Sequence, residues 1–374
     1  MSTRKKILSI LGTRPEAIKL APVIVELNRR PEIFDSRVCI TAQHRDMLDQ
    51  ALLPFDIEVH HDLDIMMPGQ SLAEVTSRAV AGLDRVILEE QPDVILVQGD
   101  TTTVFCGALA GYYNQVTVGH VEAGLRTGDK YSPFPEEGNR RLTGHLADLH
   151  FAPTEQARNA LLREGISPDA IFVTGNTVID SLLWMRDRVR GETPALPPGL
   201  AQQLADRQVV LVTGHRRESF GPGFENICWA IREVADRFDD VLFVYPVHLN
   251  PRVREPVKRI LGSHDRIALI EPQPYESFVW LMDRSEIVLT DSGGVQEEAP
   301  SLGKPVLVMR ETTERPEGIE AGNARLVGVE WDRIVAALAE LLQHPKQRAA
   351  MGQVRNPYGD GQASVRIADI LAQQ

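Results

Sequence analysis

Cysteine is scarce in this chain: Cys39, Cys106 and Cys228 are the three among 374 residues. So few, so widely scattered, they exclude a disulfide framework and a zinc site, and Cys39 and Cys106, inside apolar runs, read as small core residues. Long hydrophobic runs are lacking too. No stretch approaches the ~18–20 apolar residues of a membrane span. The apolar start at residues 7–11 stops at Gly12-Thr13-Arg14, short of the ~7–15 residues of a signal-peptide core. The cytoplasm is therefore the expected location. Positive charge is in deficit, with Lys+Arg 40 against Asp+Glu 52 and a net charge of −12. That argues against nucleic acid or an anionic membrane surface as partner, yet leaves room for a phosphate gripped by local cations. Also missing are G-x-G-x-x-G, a Walker P-loop and a G-x-S-x-G nucleophile elbow. No His, Cys and carboxylate spacing suggests a metal.

What is present is ordinary globular material, 43% hydrophobic and 25% charged, in a chain long enough for two lobes of roughly 150 residues each. Short apolar runs predict strands at 5–10, 38–41, 94–97, 117–121, 149–152 and 171–173 in the first half. In the second half they fall at 209–213, 241–245, 267–270, 286–290, 305–308 and 325–328. Runs such as Val94-Ile95-Leu96-Val97 are continuous, which suits parallel strands covered on both faces. Leu72, Val75, Ala79, Leu83 and Val86 form a helical stripe, as do Phe224, Ile227, Ala230, Ile231 and Val234. The alternation predicts two α/β lobes, each a doubly wound parallel sheet. Prolines and glycines at 191–199 mark the break, giving a first lobe at 1–185, a linker at 186–206 and a second lobe at 207–360. Residues 361–374 read as a further helix, able to cap the second lobe.

Ligands of such sheets bind beyond the carboxyl ends of the strands, and the chemically able residues cluster there. After the first strand, Gly12 permits a tight turn, while Arg14 and Lys19 place cations near a helix start suited to pyrophosphate. An ordinary strand-to-helix turn with solvated charges fits the same residues. Asp100, after the third strand, suits proton transfer or a helix N-cap. Glu122 ends an apolar strand, where burial is costly unless the carboxylate has a purpose or pairs with Arg126 or Arg140. Glu136 and Glu137 open a helix, which either can complement electrostatically.

In the second half, His215 with Arg216 and Arg217 follows the first strand and suits a phosphate or a proton. Gln273 and Phe278 suit a base ring. Ser292, Gly293 and Gly294 form a turn able to cradle phosphate, Glu298 can accept ribose hydroxyls, and Arg315 lies in a further glycine-flanked loop. His60, His61 and His248 carry no such pattern and read as packed or solvated.

Taken together, the chain resembles the non-hydrolysing UDP-N-acetylglucosamine 2-epimerases of bacteria. The resemblance covers nearly its whole length. It rests on residues 12–16, Thr41-Ala42-Gln43-His44, and residues 99–103, 119–126, 132–140, 213–220, 245–251 and 290–310. It implies the GT-B fold, two Rossmann-like lobes flanking a cleft, with the final helix 361–374 returning to the first lobe. It implies interconversion of UDP-N-acetylglucosamine and UDP-N-acetylmannosamine without metal or nicotinamide, by elimination of UDP to 2-acetamidoglucal and re-addition, and a product destined for cell-surface polysaccharide. UDP contacts would fall on Arg14, Lys19, Gln273, Phe278, Ser292, Glu298 and Arg315, and acid–base groups on Asp100, Glu122, Glu136 and His215. A homodimer is what the family suggests. An activating second site would involve Gln43, Gln70, Arg216 and His248, whereas Asp46 and Gly69 depart from the residues of activated members. The rivals are a GT-B glycosyltransferase, a hydrolysing epimerase and a non-enzymatic sensor of the same sugar nucleotide.

Overall fold

The computed structural model describes residues 4–41, 48, 51–67, 69–191 and 193–374. The chain forms two compact units. One runs to Ser181 and resumes at Tyr358–Gln374, and the other is Leu182–Pro357.

In the first unit, β1 (Lys5–Leu11), β2 (Phe34–Ile40), β3 (His61–Asp62), β4 (Val94–Gln98), β5 (Thr117–Val121), β6 (Leu149–Ala152) and β7 (Ile171–Val173) make one sheet. Its order is β3-β2-β1-β4-β5-β6-β7, with every pairing parallel. The continuous apolar runs do what their pattern requires: all five residues of β4 are buried, as are Ile7, Leu8 and Ile10 of β1. β3, two polar residues at the sheet edge, was not among the expected strands because it has no apolar signature. The helix Leu72–Glu90 starts at a capping box, in which Ser71 and Glu74 satisfy each other's backbone N–H groups. Its buried face carries Val75, Ala79, Leu83 and Val86, each large side chain contributing about 1.5–3 kcal/mol. Leu72, expected on that stripe, is exposed in the first turn.

The last helix, Ala363–Gln373, belongs to this unit. Asp180 accepts the Ala363 and Ser364 N–H groups at 3.2 and 2.8 Å, and Lys5 Nζ donates to the Leu371 carbonyl at 2.8 Å. Capping the second half, the alternative use of this segment, is not where it goes.

In the second unit, β8 (Gln208–Thr213), β9 (Val241–Pro246), β10 (Ile267–Ile270), β11 (Ile287–Thr290), β12 (Val306–Val308) and β13 (Ala324–Leu326) form a parallel sheet in the order β10-β9-β8-β11-β12-β13. Phe224, Ile227, Ala230, Ile231 and Val234 of the helix Pro222–Arg237 are all buried against it. Residues 186–206 lie within this unit, where Leu200 and Leu204 are buried.

Each unit thus has the expected doubly wound, Rossmann-like layout. In each the strand order reverses once, between β1 and β4 and between β8 and β11. Loops diverging at such a point leave a crevice at the carboxyl ends of the strands. Among the described residues no helix is long and apolar enough to cross a membrane.

Candidate active site

At the first reversal, the loop after β1 packs against the one after β4. Gly12 is required by that closeness: a Cβ there would strike the side chains of Thr41 and Thr103, whose hydroxyls are bonded to each other at 2.9 Å. Glu16, fully buried, accepts the Gly12 N–H at 2.6 Å and the Thr13 hydroxyl at 2.8 Å. Burial pushes its carboxyl up to about 7, against hydrogen bonds from Thr101, Thr13 and Gly12, with the charge of Asp100 adding to the rise. Arg14, half-buried, opens the helix Arg14–Asn28.

Asp100 is not the cap of the helix Thr102–Tyr113; Thr101 is, its hydroxyl accepting from Val104 N–H. Asp100 instead ion-pairs with Arg140 at 2.6 Å, and its carbonyl accepts from Asn139 Nδ2 at 2.9 Å. Both partners come from the helix Glu136–Leu146. Glu137, at the start of that helix, is fully buried between Arg140, Arg141 and the Thr127 N–H. Its neighbour Glu136 is half-buried, and among the described residues its buried Oε2 has no hydrogen-bond partner.

Glu122 directly follows β5 and takes a left-handed backbone, φ 64°, a conformation that costs a non-glycine residue of order 1–3 kcal/mol. Its carboxylate repays the turn. Lys19 ion-pairs with Oε1, Asn176 Nδ2 donates to the same oxygen at 3.0 Å, and Gln98 Nε2 donates to Oε2 at 2.5 Å. The Gly99 N–H donates to the Val121 carbonyl at 3.0 Å, so Asp100 and Glu122 stand at the same end of neighbouring strands. Of the arginines considered as partners for Glu122, Arg126 pairs with Glu164 and Arg140 with Asp100. Lys19, expected on pyrophosphate, lies on Glu122. Beneath this layer His120 Nε2 donates to the Gly99 carbonyl at 2.8 Å, and burial drives its imidazole down to about 3.

The second unit also places a carboxylate just past a central strand. Asp291, fully buried after β11, accepts the backbone N–H groups of His215 and Arg216 at 2.7 and 2.8 Å. That fixes the loop after β8. The His215 ring stacks on His248, with centroids 5.3 Å apart. Partial burial holds its imidazole below the usual value, helped by His248 and Arg216 and opposed by Asp291. After β11 the chain turns through Ser292, Gly293 and Gly294 into a short helix. A Cβ on Gly293 would come within 3.1 Å of the Arg315 guanidinium, which lies against the turn. Arg315 is oriented by Glu297 at 2.8 Å and Glu314 at 3.0 Å. Glu314 is held down to about 2: burial alone would raise it, but Arg315, a backbone N–H and Arg310 outweigh that. A glycine turn with a serine, a histidine and an oriented arginine is suited to a diphosphate. Glu298 accepts the Tyr275 hydroxyl at 3.0 Å, one turn before half-buried Phe278 on the helix Tyr275–Arg284. Gln273, just before it, donates to the Glu271 carbonyl.

Sequence reading did not single out Asn139, Asn176, Asp291 or Tyr275. Asp291 could have been found, since a buried carboxylate after a central strand needs donors, and the loop after β8 supplies them. Nothing local marks Asn176. Of the residues associated with activation, Gln43 lies outside the described residues, as does Asp46. Gln70 spends its amide on Met67 N–H and Ile65 O, while Arg216 pairs with Glu314 and His248 lies on His215. Among the described residues no group of three or more His, Cys, Asp or Glu could hold a metal ion.

The sequence profile of one family, described as UDP-N-acetylglucosamine 2-epimerase, matches residues 25–372. The chain is 57% identical over 370 residues to the UDP-N-acetylglucosamine 2-epimerase of Salmonella typhimurium, covering 98% of each chain. It is similar to the crystal structure of a UDP-N-acetylglucosamine 2-epimerase from Listeria monocytogenes, described there as putative, with a TM-score of 0.92 at 50% identity over 99% of this chain and 96% of the other. The enzyme of Neisseria meningitidis, solved bound to UDP-GlcNAc, gives a TM-score of 0.88 at 48% identity over 99% of this chain and 100% of that one.

Proposed function

The chain belongs to the UDP-N-acetylglucosamine 2-epimerase family, and from that membership we propose that it interconverts UDP-N-acetylglucosamine and UDP-N-acetylmannosamine without releasing free sugar. The whole-length match to enzymes of that name carries the reading of the substrate. The grip on Glu122 by Lys19, Gln98 and Asn176 supports the acid–base half.

The hydrogen on carbon 2 is weakly acidic, so inversion there needs a base and a leaving group. In the proposed course, a carboxylate removes that proton as the bond from carbon 1 to the diphosphate breaks, giving 2-acetamidoglucal and UDP. A proton then returns to carbon 2 from the opposite face while the diphosphate oxygen re-forms its bond to carbon 1. Asp100 and Glu122 share the proton traffic, with Glu136 as second acid. Both also steady positive charge on the ring as the leaving group departs. In the second unit His215, Ser292 with its glycine turn, and Arg315 stabilise the departing diphosphate, and Gln273, Phe278 and Glu298 hold the uridine. The supply of a precursor for cell-surface polysaccharide, a homodimer and a cytoplasmic location belong to the same proposal, resting on the family. Light scattering on the purified protein tests the dimer.

Incubation with UDP-N-acetylglucosamine in heavy water, followed by NMR, tests the activity. Deuterium at carbon 2 of intact UDP-sugars is the expected result. Free N-acetylmannosamine would mean a hydrolysing epimerase, and an unchanged substrate would leave a transferase or a sensor.

A further inference from the structure

The C-terminal segment returns to the first unit beside the loop that follows β7, and it does so at a residue that touches Glu122. The Asn176 backbone N–H donates to the Tyr358 carbonyl at 2.7 Å. Gly359 lies against Gly175, where a Cβ on Gly175 would come within 3.4 Å of its Cα. Arg366 Nη1 donates to the Thr174 carbonyl at 2.9 Å, and Asp180 anchors the start of the last helix. The Asn176 side chain is thereby held at both ends of its amide. Its Oδ1 accepts from Val178 N–H at 3.1 Å, and its Nδ2 donates to Glu122 Oε1 at 3.0 Å. Asn176 is 2% exposed, so this amide has no solvent to turn towards.

We propose that Asn176 is a positioning residue for Glu122, set in place by the returning C-terminal segment at Tyr358. The inference rests on the acid–base role given to Glu122 above. A carboxylate on a left-handed turn has a rotatable side chain and only its donors to aim it. Lys19 is a flexible point charge, able to follow the carboxylate as it moves. The Asn176 amide is rigid and fixed by its other bonds, so it defines where Oε1 sits. The last residues of the chain reach the reacting region through this amide.

Asn176→Asp separates this role from a structural one. The aspartate keeps the size of the side chain and the acceptor for Val178 N–H, but replaces the donor to Glu122 with a second carboxylate. In the full-length enzyme, kcat for UDP-N-acetylglucosamine is expected to fall at least ~10-fold, with KM within about twofold, because misdirecting a reacting group costs rate more than binding. A variant that stays folded in circular dichroism and retains kcat within about twofold of wild type overturns the inference. Should Asn176→Asp be unfolded at the assay temperature, Asn176→Ser carries the same expectation, since its hydroxyl keeps a short acceptor but does not reach Glu122. Wild-type enzyme assayed alongside in heavy water keeps the two failures apart. Wild type without deuterium at carbon 2 removes the activity itself, whereas exchanging wild type with an equally fast variant removes only the role of Asn176.

Discussion

The ammonium group of Lys19 meets the carboxylate of Glu122 across 103 residues of chain. One lies on the first helix and the other just past β5, and neither side chain is more than 17% exposed. A pair so placed is partly desolvated. Removing one partner therefore strands the other, while removing both leaves a smaller debt.

Lys19→Met should accordingly lower stability by about 2 kcal/mol, less than the ~3–5 of a fully buried pair because Gln98 and Asn176 remain as donors. In a Glu122→Gln background the same substitution should cost less. Chemical denaturation of the single and double variants measures this, and strictly additive losses would show that the two groups do not interact.

Asp100→Asn and Glu122→Gln remove a titrating oxygen while keeping shape. Each should reduce turnover at least ~10²-fold and leave UDP binding, measured by calorimetry, within a few-fold. Near-normal turnover in either variant would exclude that residue from the proton transfers.

Asp291 holds the loop carrying His215 through two backbone N–H groups. Asp291→Ala strands both donors, so a loss of about 1–3 kcal/mol in stability is expected, together with weaker UDP binding. Asp291→Asn keeps an acceptor oxygen and should lose less on both counts. Equal losses would mean that the charge, not the acceptor, is what matters.

Acid should weaken the first unit through its buried histidines. Burial drives His120 down to about 3 and His150 to about 4, both far below the ~6.5 of an unfolded histidine. The folded state therefore excludes protons that the unfolded chain binds. The stability from these neutral rings is complete above about pH 6.5 and is lost as pH falls through that value towards the folded ones. Urea midpoints measured downwards from neutrality should decline more steeply for the wild type than for His120→Gln. Parallel curves would contradict this.

Glu16 acts in the other direction. Its carboxyl is raised to about 7 from 4.5, so its contribution is present in full below the unfolded value and declines as pH rises through about 7. Glutamine imitates the protonated acid, accepting from Gly12 N–H and donating to Thr13. Glu16→Gln should gain on the wild type in melting temperature as pH rises from about 5 to about 8. A constant difference across that range would mean that Glu16 does not titrate in the folded protein.

Much of the first-half site was legible because strand ends are. Apolar runs locate the strands, and polar residues just past them fall at the carboxyl edge of a parallel sheet, so Asp100 and Glu122 could be picked out together. What those residues do locally was harder to read. Asp100 looked fit for an N-cap, yet Thr101 takes that place, because the cap turns on a one-residue difference in where the helix begins. β3 escaped notice because an edge strand of two polar residues buries nothing that leaves a pattern. Leu72 fitted the stripe by spacing, yet at the first position of its helix it faces solvent.

By itself the sequence determined the local facts: which segments become strands, where Ser71 and Thr154 start helices, and where glycine lets a loop pass close. Hydrophobic periodicity, caps and turns act over a few residues, so they can be read there. Only the tertiary structure decided that Lys19 would meet Glu122, Arg140 Asp100, and Asn176 both Glu122 and Tyr358. Those partnerships follow from strand order and from the return of the last helix. A charged side chain is compatible with many partners, and long-range packing alone selects among them.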